Sequence, residues 1–430
     1  MLAGILNLTT MKTKIAKNTL YQLVGKLITM SVTVFITLLI TKNYGADGYG
    51  GFSLMQSIPA LFFVIVDFGL NAISVREASK DDSQIYSYFI NVLIFRVLFS
   101  LFLIVVIGLG LYFFPYGSHL TFGIRLGLLL ILTQGLYATT NIVFQTKLRY
   151  DLSVIGQTLG YVLVLGGSLF LVSRSASIVW VNFTYVLGGV LTFLINFILI
   201  RRLDINRTFR INTDLIKKLL RKSLPLGIMF IFSQMNFKED AVLLSILKIP
   251  EWLDMSATEI VGVYSLPYKV FEVSLVIPTF FMNAVYPVLV KHMEEGREKL
   301  KSSFFKVLLF LFAGGVVTGI LGFIFAPWII NFLGGEEFKY SISVLRILIG
   351  GAFIFYLTQP ISWLIVTLDR QKYLPYIYFV SVVFNLVFNL IFIPRYSFLA
   401  AASITIGSEF LILILLGVFA RKALREKYAS

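Results

Sequence analysis

The chain contains no cysteine and only two histidines. The lack of cysteine excludes disulfides, thiolate nucleophiles and zinc–thiolate sites. The histidines, His119 and His292, fall far apart in predicted loops, so the sequence shows no histidine metal site. It also contains no phosphate-binding loop, HExxH motif or nucleophile elbow. These absences predict a protein that is not an enzyme and that needs no metal and no cofactor.

Charged residues are scarce as well, at 14% of the chain, whereas hydrophobic residues make up 58%. A helix needs about 20 apolar residues to cross a hydrocarbon core, where backbone groups cannot bond to water. The sequence therefore predicts an all-α polytopic membrane protein with about twelve transmembrane helices. The predicted spans are Leu20–Ile40, Gly51–Leu70, Tyr86–Phe113, Leu120–Gln145, Leu152–Val172, Ile178–Ile200, Ser223–Leu247, Ile260–Val290, Phe304–Phe325, Ser341–Leu368, Lys372–Ile393 and Ser397–Ala420.

Lysine and arginine gather in every second gap between these spans, starting before the first span. The remaining gaps hold only Lys42, Arg174, Lys248, Lys339 and Arg395. Because positive loops stay on the cytoplasmic side, this alternation predicts a multi-pass plasma membrane protein with both termini cytoplasmic. The net charge of +15 follows from the same bias and favours anionic lipid head groups, with no need for nucleic acid as a partner. The residues before Met11 are not expected to form a signal peptide, and Met11 is an alternative start.

The longest basic segment predicts a boundary between two lobes. We expect an N-terminal lobe of six helices over residues 1–200, a basic cytoplasmic linker over 201–222, and a C-terminal six-helix lobe over 223–430. Short matches recur at one constant separation: Gly50-Gly51-Phe52-Ser53-Leu54 with Gly262-Val263-Tyr264-Ser265-Leu266, and Asn71-Ala72 with Asn283-Ala284. They indicate a parallel internal repeat about an axis along the membrane normal. The alternative is chance similarity between glycine-rich apolar segments.

Ionisable residues inside predicted spans are costly, by about 2.5–3.5 kcal/mol on insertion scales, and usually face a cavity or a partner. Lys269 and Glu272 are three residues apart on one helical face, at a depth similar to that of Lys238 in the neighbouring span, so the two groups can meet. The candidate substrate-binding residues are Lys26, Arg96, Lys238, Lys269 and Arg346. The candidate ion-coupling residues are Asp240, Glu272 and Glu409. The alternatives are internal ion pairs, and snorkelling of long cations such as Arg125 to an interface.

Two stretches carry a family resemblance. They are Thr41-Lys42-Asn43-Tyr44-Gly45-Ala46-Asp47-Gly48-Tyr49-Gly50-Gly51-Phe52-Ser53 with Asp67-Phe68-Gly69-Leu70 and Arg76-Glu77, and Gly262-Val263-Tyr264-Ser265 with Lys269. The chain resembles the polysaccharide transporter family, the Wzx-type flippases of O-antigen and related lipid-linked oligosaccharides. That family belongs to the superfamily that includes multidrug and toxin exporters and the lipid II flippase.

The resemblance implies two six-helix lobes forming a V around a central cavity. It implies translocation of an undecaprenyl-pyrophosphate-linked oligosaccharide from the inner to the outer leaflet by alternating access. Lysines and arginines would neutralise pyrophosphate or acidic sugars, while Gln56, Tyr268 and Asn283 would contact sugars. The candidate carboxylates would couple transport to a proton or sodium gradient. A polysaccharide polymerase is a candidate partner.

Two other functions compete with this interpretation. A cation-coupled multidrug or metabolite exporter of the same superfamily would be expected to favour buried carboxylates without buried lysines, and Lys238 and Lys269 argue against it. A membrane-embedded glycan polymerase or ligase would be expected to carry a large external loop with catalytic arginines or histidines. The predicted outer loops of this chain are short.

Overall fold

The computed structural model describes residues 2–207 and 210–428, with side chains from Asn18 onward. Its described part consists of helices joined by turns and loops and contains no strand. The helices are α1 (Leu2–Asp67), α2 (Leu70–Ala78), α3 (Ile85–Gly110), α4 (Ser118–Gly127), α5 (Leu129–Thr146), α6 (Tyr150–Ser173), α7 (Ile178–Arg201), α8 (Thr213–Ile246), α9 (Ala257–Ser274), α10 (Val276–Glu294), α11 (Arg297–Leu333), α12 (Ser341–Gly350), α13 (Ala352–Thr367) and α14 (Leu374–Tyr428). Met11 and the lysines that follow it in the sequence, Lys12, Lys14 and Lys17, lie outside the described side chains.

Large apolar side chains cover the outside of the helices. On α11, Phe310, Ile324 and Trp328 are 61%, 60% and 67% exposed. Soluble proteins rarely expose contiguous apolar surface of this kind, whereas lipid accommodates it. Among the described residues, nine helical segments are long and apolar enough to cross a membrane. The prediction of an all-α polytopic membrane protein is confirmed.

Helix α1 reverses direction at Gly45, where φ is 65°. Asn18 accepts a hydrogen bond from the Tyr150 N–H at 2.7 Å, and Asn71 donates one to the Ala138 carbonyl at 2.8 Å. A straight helix would separate Asn18 from Asn71 by about 80 Å. Their partners are only a short stretch of chain apart, at most about 40 Å even if fully extended. The chain must therefore turn back between them, and glycine adopts the left-handed conformation that the turn requires.

Helix α14 also reverses, at Ser397, where φ is 50°. Asn389 and Thr405, on opposite sides of this residue, both donate to the carboxylate of Asp240, at 2.8 and 2.7 Å. In a straight helix they would lie about 24 Å apart. Pro394, just before the turn, has no N–H to continue the helical bonding.

These reversals relate the nine apolar segments to the predicted spans. Two segments, Asn18–Ala78 and Gln371–Tyr428, each contain one reversal and so hold two predicted spans. Helix α8 is not among the nine, because it also carries the charged run Lys238-Glu239-Asp240. Each predicted span therefore corresponds to part of a described helical segment, while the exact number of spans stays a prediction.

The chain divides into two compact units. The first contains Met1–Asn43 and Leu54–Ile231, and the second contains Tyr44–Ser53 and Phe232–Ser430. The change from one unit to the other falls within α8, downstream of the basic segment that the sequence suggested as a linker. The short segment Tyr44–Ser53, which contains the first reversal, belongs to the second unit.

The first unit has a well-packed apolar core where α2, α3, α5 and the start of α8 meet. Leu70, Phe89, Phe144 and Leu219 are almost fully buried there. Helix α2 is separated from α1 by a break at Phe68 and Gly69, whose φ angles are 41° and 69°. This break leaves Asp67 at the end of α1, beside the core.

Candidate functional site

A cluster of three charges lies between α8 and α9 in the second unit. Lys238 contacts Oε1 of Glu272 at 2.6 Å, and Lys269 contacts Oε2 of the same carboxylate at 2.8 Å. Lys269 and Glu272 face the same way because they are one helical turn apart. The structure thus brings together the two groups that the sequence placed at a similar depth.

This cluster is partly accessible and carries a net positive charge. The side chains of Lys238, Glu272 and Lys269 are 22%, 27% and 37% exposed, so none is sealed in the core. The ammonium group of Lys238 also lies 5.8 Å from the centre of the Tyr268 ring, within cation–π range. The Tyr268 hydroxyl is buried, without a hydrogen-bond partner among the described residues. Cations and an aromatic ring together suit an anionic, glycosylated ligand.

Asp240, two residues after Lys238 on α8, occupies a different environment. Its carboxylate is 1% exposed and accepts hydrogen bonds from Tyr264 at 2.5 Å, Thr405 at 2.7 Å and Asn389 at 2.8 Å. The donors come from α9 and from both halves of α14. The Asn389 amide oxygen is buried and has no partner among the described residues. A carboxylate, an amide oxygen and a hydroxyl form a set that suits a small hard cation or a proton.

Glu239 adds a second carboxylate beside Asp240 and is also buried, at 6% exposure. A side-chain amide atom of Asn385 lies 2.9 Å from the Glu239 carboxylate. Two adjacent carboxylates that are both buried repel each other when both are charged. The pair is therefore suited to take up positive charge.

Glu409 lines a polar cavity of about 100 Å³ within the second unit. Thr358 donates a hydrogen bond to its carboxylate. Thr405 belongs to the lining of this cavity and also donates to Asp240, so the cavity reaches the shell of that carboxylate. The cavity has room for a few water molecules, and the side chains around it are mostly polar. Its lining residues are Ser233, Asn236, Phe237, Leu275, Phe355, Thr358, Gln359, Ser362, Tyr378, Thr405, Ser408, Glu409 and Ile412.

Arg96 lies in the first unit and is committed to an internal network. Its guanidinium forms a 2.5 Å ion pair with Asp67 and bonds to Asn71 and Thr139, each at 2.9 Å. The side chain is 1% exposed. The network ties α3 and α5 to the break between α1 and α2. Arg96 is thus less exposed than the lysine cluster, and its substrate-binding role stays a prediction.

The remaining predicted residues have surroundings of their own. Lys26 is exposed on α1. The Arg346 guanidinium stacks 4.9 Å above the Phe323 ring of α11, an arrangement that retains the cation at a helix surface. Of the proposed sugar contacts, Gln56 donates to Asn182 at 2.7 Å in the first unit, and Asn283 is exposed on α10.

The two repeated sequence segments meet each other directly in the second unit. A Cβ atom on Gly50 would lie 1.7 Å from the Thr258 carbonyl oxygen, and one on Gly262 would lie 2.0 Å from that of Ala46. Each glycine therefore faces the residue four positions before the other. Three residues further on, Ser53 Oγ donates to Ser265 Oγ at 2.7 Å, and these serines are 212 positions apart. Reciprocal contacts between equivalent residues are what a local two-fold axis produces.

The comparisons with known families agree with this architecture. A model described as polysaccharide biosynthesis protein matches residues 15–293, well over half of the chain. The chain belongs to the polysaccharide biosynthesis protein family. A second family model, MatE, matches residues 253–391 of this family member. A search of curated proteins returned no match.

Solved structures share the fold of this family member over nearly its whole length. An inward-facing multidrug resistance MATE family transporter of the MOP superfamily superposes with a TM-score of 0.77 at 14% identity, covering 94% of this chain and 96% of that chain. The lipid II flippase MurJ, in an inward closed conformation, gives 0.74 at 14% identity, covering 95% and 90%. A MOP superfamily transporter from Pyrococcus furiosus gives 0.67 at 17% identity, covering 96% of each chain. The chain therefore shares its fold with these transporters.

Several residues of the polar interior were missed by the sequence analysis. Asn385 and Asn389 are one helical turn apart within an apolar stretch, and Thr405 follows the reversal. Amides at that spacing inside a predicted span mark one polar face, which is the signal that would have found them. The role of Thr358 beside Glu409 has no comparable signal, because threonine is common in such helices.

Proposed function

We propose that the protein is a flippase that moves an undecaprenyl-pyrophosphate-linked oligosaccharide from the inner to the outer leaflet of the plasma membrane by alternating access. The unit carried would belong to O-antigen, capsule or exopolysaccharide. Membership of the polysaccharide biosynthesis protein family supports this proposal. The structural likeness to a lipid II flippase adds that this fold accommodates a lipid-linked cargo.

The observation that carries the proposal is the position of Glu272 between Lys238 and Lys269. Two lysines and one carboxylate leave a net positive charge at membrane depth, in a place that is partly accessible. A pyrophosphate would supply the missing negative charge through charge-assisted hydrogen bonds. In this proposal Lys238 and Lys269 bind the head group directly. Lys26 and Arg346 have secondary roles along its path, and Arg96 acts through the architecture of the first unit.

The buried carboxylates provide the coupling to an ion gradient. Asp240 would bind a proton or a sodium ion with Thr405 and Asn389, whose amide oxygen has no partner among the described residues. Glu409, in the adjoining cavity, would exchange protons with water, and Glu272 would respond to the substrate. Ion binding at this site would bias the conformational equilibrium by its difference in affinity between the two states.

A cation-coupled multidrug or metabolite exporter is the second candidate. The feature that favours it is the acidic interior formed by Glu239, Asp240 and Glu409, all at most 9% exposed. The likeness to MATE transporters fits this function equally well. The lysine pair argues against it, because a cationic drug would be repelled there.

The charge pattern indicates the orientation of the protein in the membrane. We place both termini in the cytoplasm because segments rich in lysine and arginine alternate with segments that hold few of either. Anionic membrane lipids would contact the cytoplasmic basic surface, and a polysaccharide polymerase would receive the flipped unit. The function requires no catalytic step, cofactor or nucleic acid.

Flipping in proteoliposomes tests the proposal. Purified protein would be reconstituted with a fluorescent pyrophosphate-linked oligosaccharide, and exposure of the label to an external quencher would be followed over time. We expect protein-dependent exposure that responds to an imposed proton or sodium gradient. No exposure, combined with uptake of an organic cation under the same gradients, would assign the protein to the exporter function.

A further inference from the structure

The carboxylate of Glu272 is shared between two lysines that come from different helices. Each oxygen bonds to one ammonium group, Oε1 to Lys238 at 2.6 Å and Oε2 to Lys269 at 2.8 Å. Two oxygens of a phosphoryl group bridge a pair of cations in the same way. Glu272 therefore occupies the place that an anionic ligand would need.

We propose that Glu272 is a resident counter-ion, which holds the two lysines in the empty site and is displaced when a dianionic group of the substrate binds. The proposal rests on the proposed function and deepens it, since it makes Glu272 a residue that selects substrates by charge. The ligand class is a diphosphate diester, the linkage that joins a sugar to a prenyl carrier.

The balance of charge separates a dianion from a monoanion. With Glu272 in place, the cluster has one surplus positive charge, which a monoanionic ligand neutralises without displacing it. A diphosphate diester carries two negative charges and matches the two lysines alone. Glu272 then becomes a like charge beside the phosphates and must leave the lysines. Its partial exposure, at 27%, gives its side chain a route toward a more polar position.

The empty site explains why a carboxylate is useful there. Two lysines that contact opposite oxygens of one carboxylate would repel each other if that carboxylate were absent, because the surrounding medium has a low dielectric constant. Each would also be costly without a partner. Glu272 neutralises one of them and orients both. When the substrate binds, it takes the place of the Glu272 carboxylate. The lysines therefore have an anionic partner both before and after binding.

The experiment measures equilibrium binding to purified protein in detergent. Three probes share one short prenyl tail and one neutral sugar but differ in the linkage. The diphosphate diester has two charges, the phosphate diester has one, and the glycoside has none. We expect Glu272→Gln to bind the diphosphate probe about tenfold more tightly than wild type, because a like charge is removed. The phosphate diester should gain much less, and the glycoside should not respond.

Matched variants separate charge from structure. Glu272→Asp keeps the negative charge and should not gain affinity, whereas a gain would show that loosening the lysines is sufficient. Glu77 offers a control with the same geometry in the first unit, where its carboxylate contacts Lys80 and Lys222, each at 2.9 Å. Glu77→Gln should leave binding of all three probes unchanged. Thermal unfolding of each variant would verify that the folded protein is being compared.

The outcomes distinguish this inference from the proposed function. Tight binding by wild type that depends on Lys238 and Lys269, with no gain in Glu272→Gln, would overturn the counter-ion role and leave the flippase proposal standing. No binding of the diphosphate probe, with no effect of the lysines, would remove the proposed substrate site itself. An equal gain for the diphosphate, phosphate and glycoside probes would show that the effect does not depend on the charge of the linkage and would overturn the diphosphate assignment.

Discussion

Ser53 and Ser265 bond to each other through their hydroxyl groups at 2.7 Å, although 212 residues separate them. They occupy equivalent positions of the repeated sequence. Gly50 and Gly262, three residues before them, lie where the backbones of the two helical segments are in direct contact. The repeat is therefore a physical contact as well as a sequence pattern. The small residues allow the two helical segments to approach this closely.

The serine pair can be used to test whether this crossing opens during transport. Because the chain has no cysteine, Ser53→Cys with Ser265→Cys would introduce the only two thiols. The short Oγ–Oγ distance favours a disulfide, so oxidation should join them without large movement. If transport requires the segments to separate, oxidised protein should lose transport and regain it on reduction. Wild-type flipping by fully cross-linked protein would show that the crossing stays closed, and each single variant serves as a control.

The glycine crossing should be sensitive to one added methyl group. Gly262→Ala places a Cβ where the Ala46 carbonyl oxygen is 2.0 Å away, so the backbones must move apart. We expect a loss of about 1–3 kcal/mol in the free energy of unfolding, as for other overpacked sites. The matched control is Gly166→Ala in α6, where nothing lies within 4 Å of the added atom. Equal thermal stability of the two variants would contradict the steric explanation.

Lys238→Ala combined with Lys269→Ala should abolish flipping while leaving membrane insertion intact. The reason is that both cations proposed to bind the pyrophosphate are removed, whereas Glu272 remains partly exposed and can be hydrated. The measurement is flipping in proteoliposomes, with expression and size-exclusion profiles compared with wild type. A well-expressed double variant that transports at the wild-type rate would remove both lysines from the site.

Asp240→Asn should abolish the response of flipping to proton and sodium gradients. The substitution keeps the shape of the side chain but removes the negative charge that a cation needs. Thr405→Val should weaken the same response, since Thr405 donates to Asp240 at 2.7 Å. Thr367→Val is the matched control, because Thr367 is buried and bonds to the backbone carbonyl of Trp363. An unchanged gradient response in Asp240→Asn would place ion coupling elsewhere.

Arg96→Leu should destabilise the protein by about 3–5 kcal/mol, because it leaves Asp67 beside the core without its partner. The side chain of Arg96 is 1% exposed and forms a 2.5 Å ion pair. Replacing both residues by leucine should recover part of the loss, since no unpaired charge then remains. Thermal unfolding of the two single variants and the double variant measures the coupling between them. A stable Arg96→Leu protein that has lost substrate binding would instead support direct contact with the ligand.

Much of the fold could be predicted because the membrane constrains it. Apolar runs of sufficient length have to form helices, and the predicted breaks before Gly51 and at Ser397 lie close to the reversals at Gly45 and Ser397. The meeting of Lys238 with Glu272 could also be anticipated, since depth and helical spacing are both readable from sequence. The substrate-binding and ion-coupling roles stay predictions.

The ion-pair partner of the buried Arg96 could not be predicted in the same way. The ion pair between Arg96 and Asp67 depends on the break at Phe68 and Gly69 and on the packing of α3. The sequence does not show which carboxylate a buried cation meets, and the substrate-binding role of Arg96 stays a prediction. Only the angles between helices select one of them, and these angles are set by side-chain packing.

The hydrogen-bond donors around Asp240 also have a consequence for the synthesis of the protein. Its donors Asn389 and Thr405 lie 149 and 165 residues further along the chain, on the two sides of the turn at Ser397. During synthesis, α8 therefore reaches the membrane long before Asn389 and Thr405 exist, and only the third donor, Tyr264, follows it closely. The nascent chain must keep Asp240 hydrated or protonated until that late hairpin arrives. The proposed ion-binding site is thus completed in one late step of assembly.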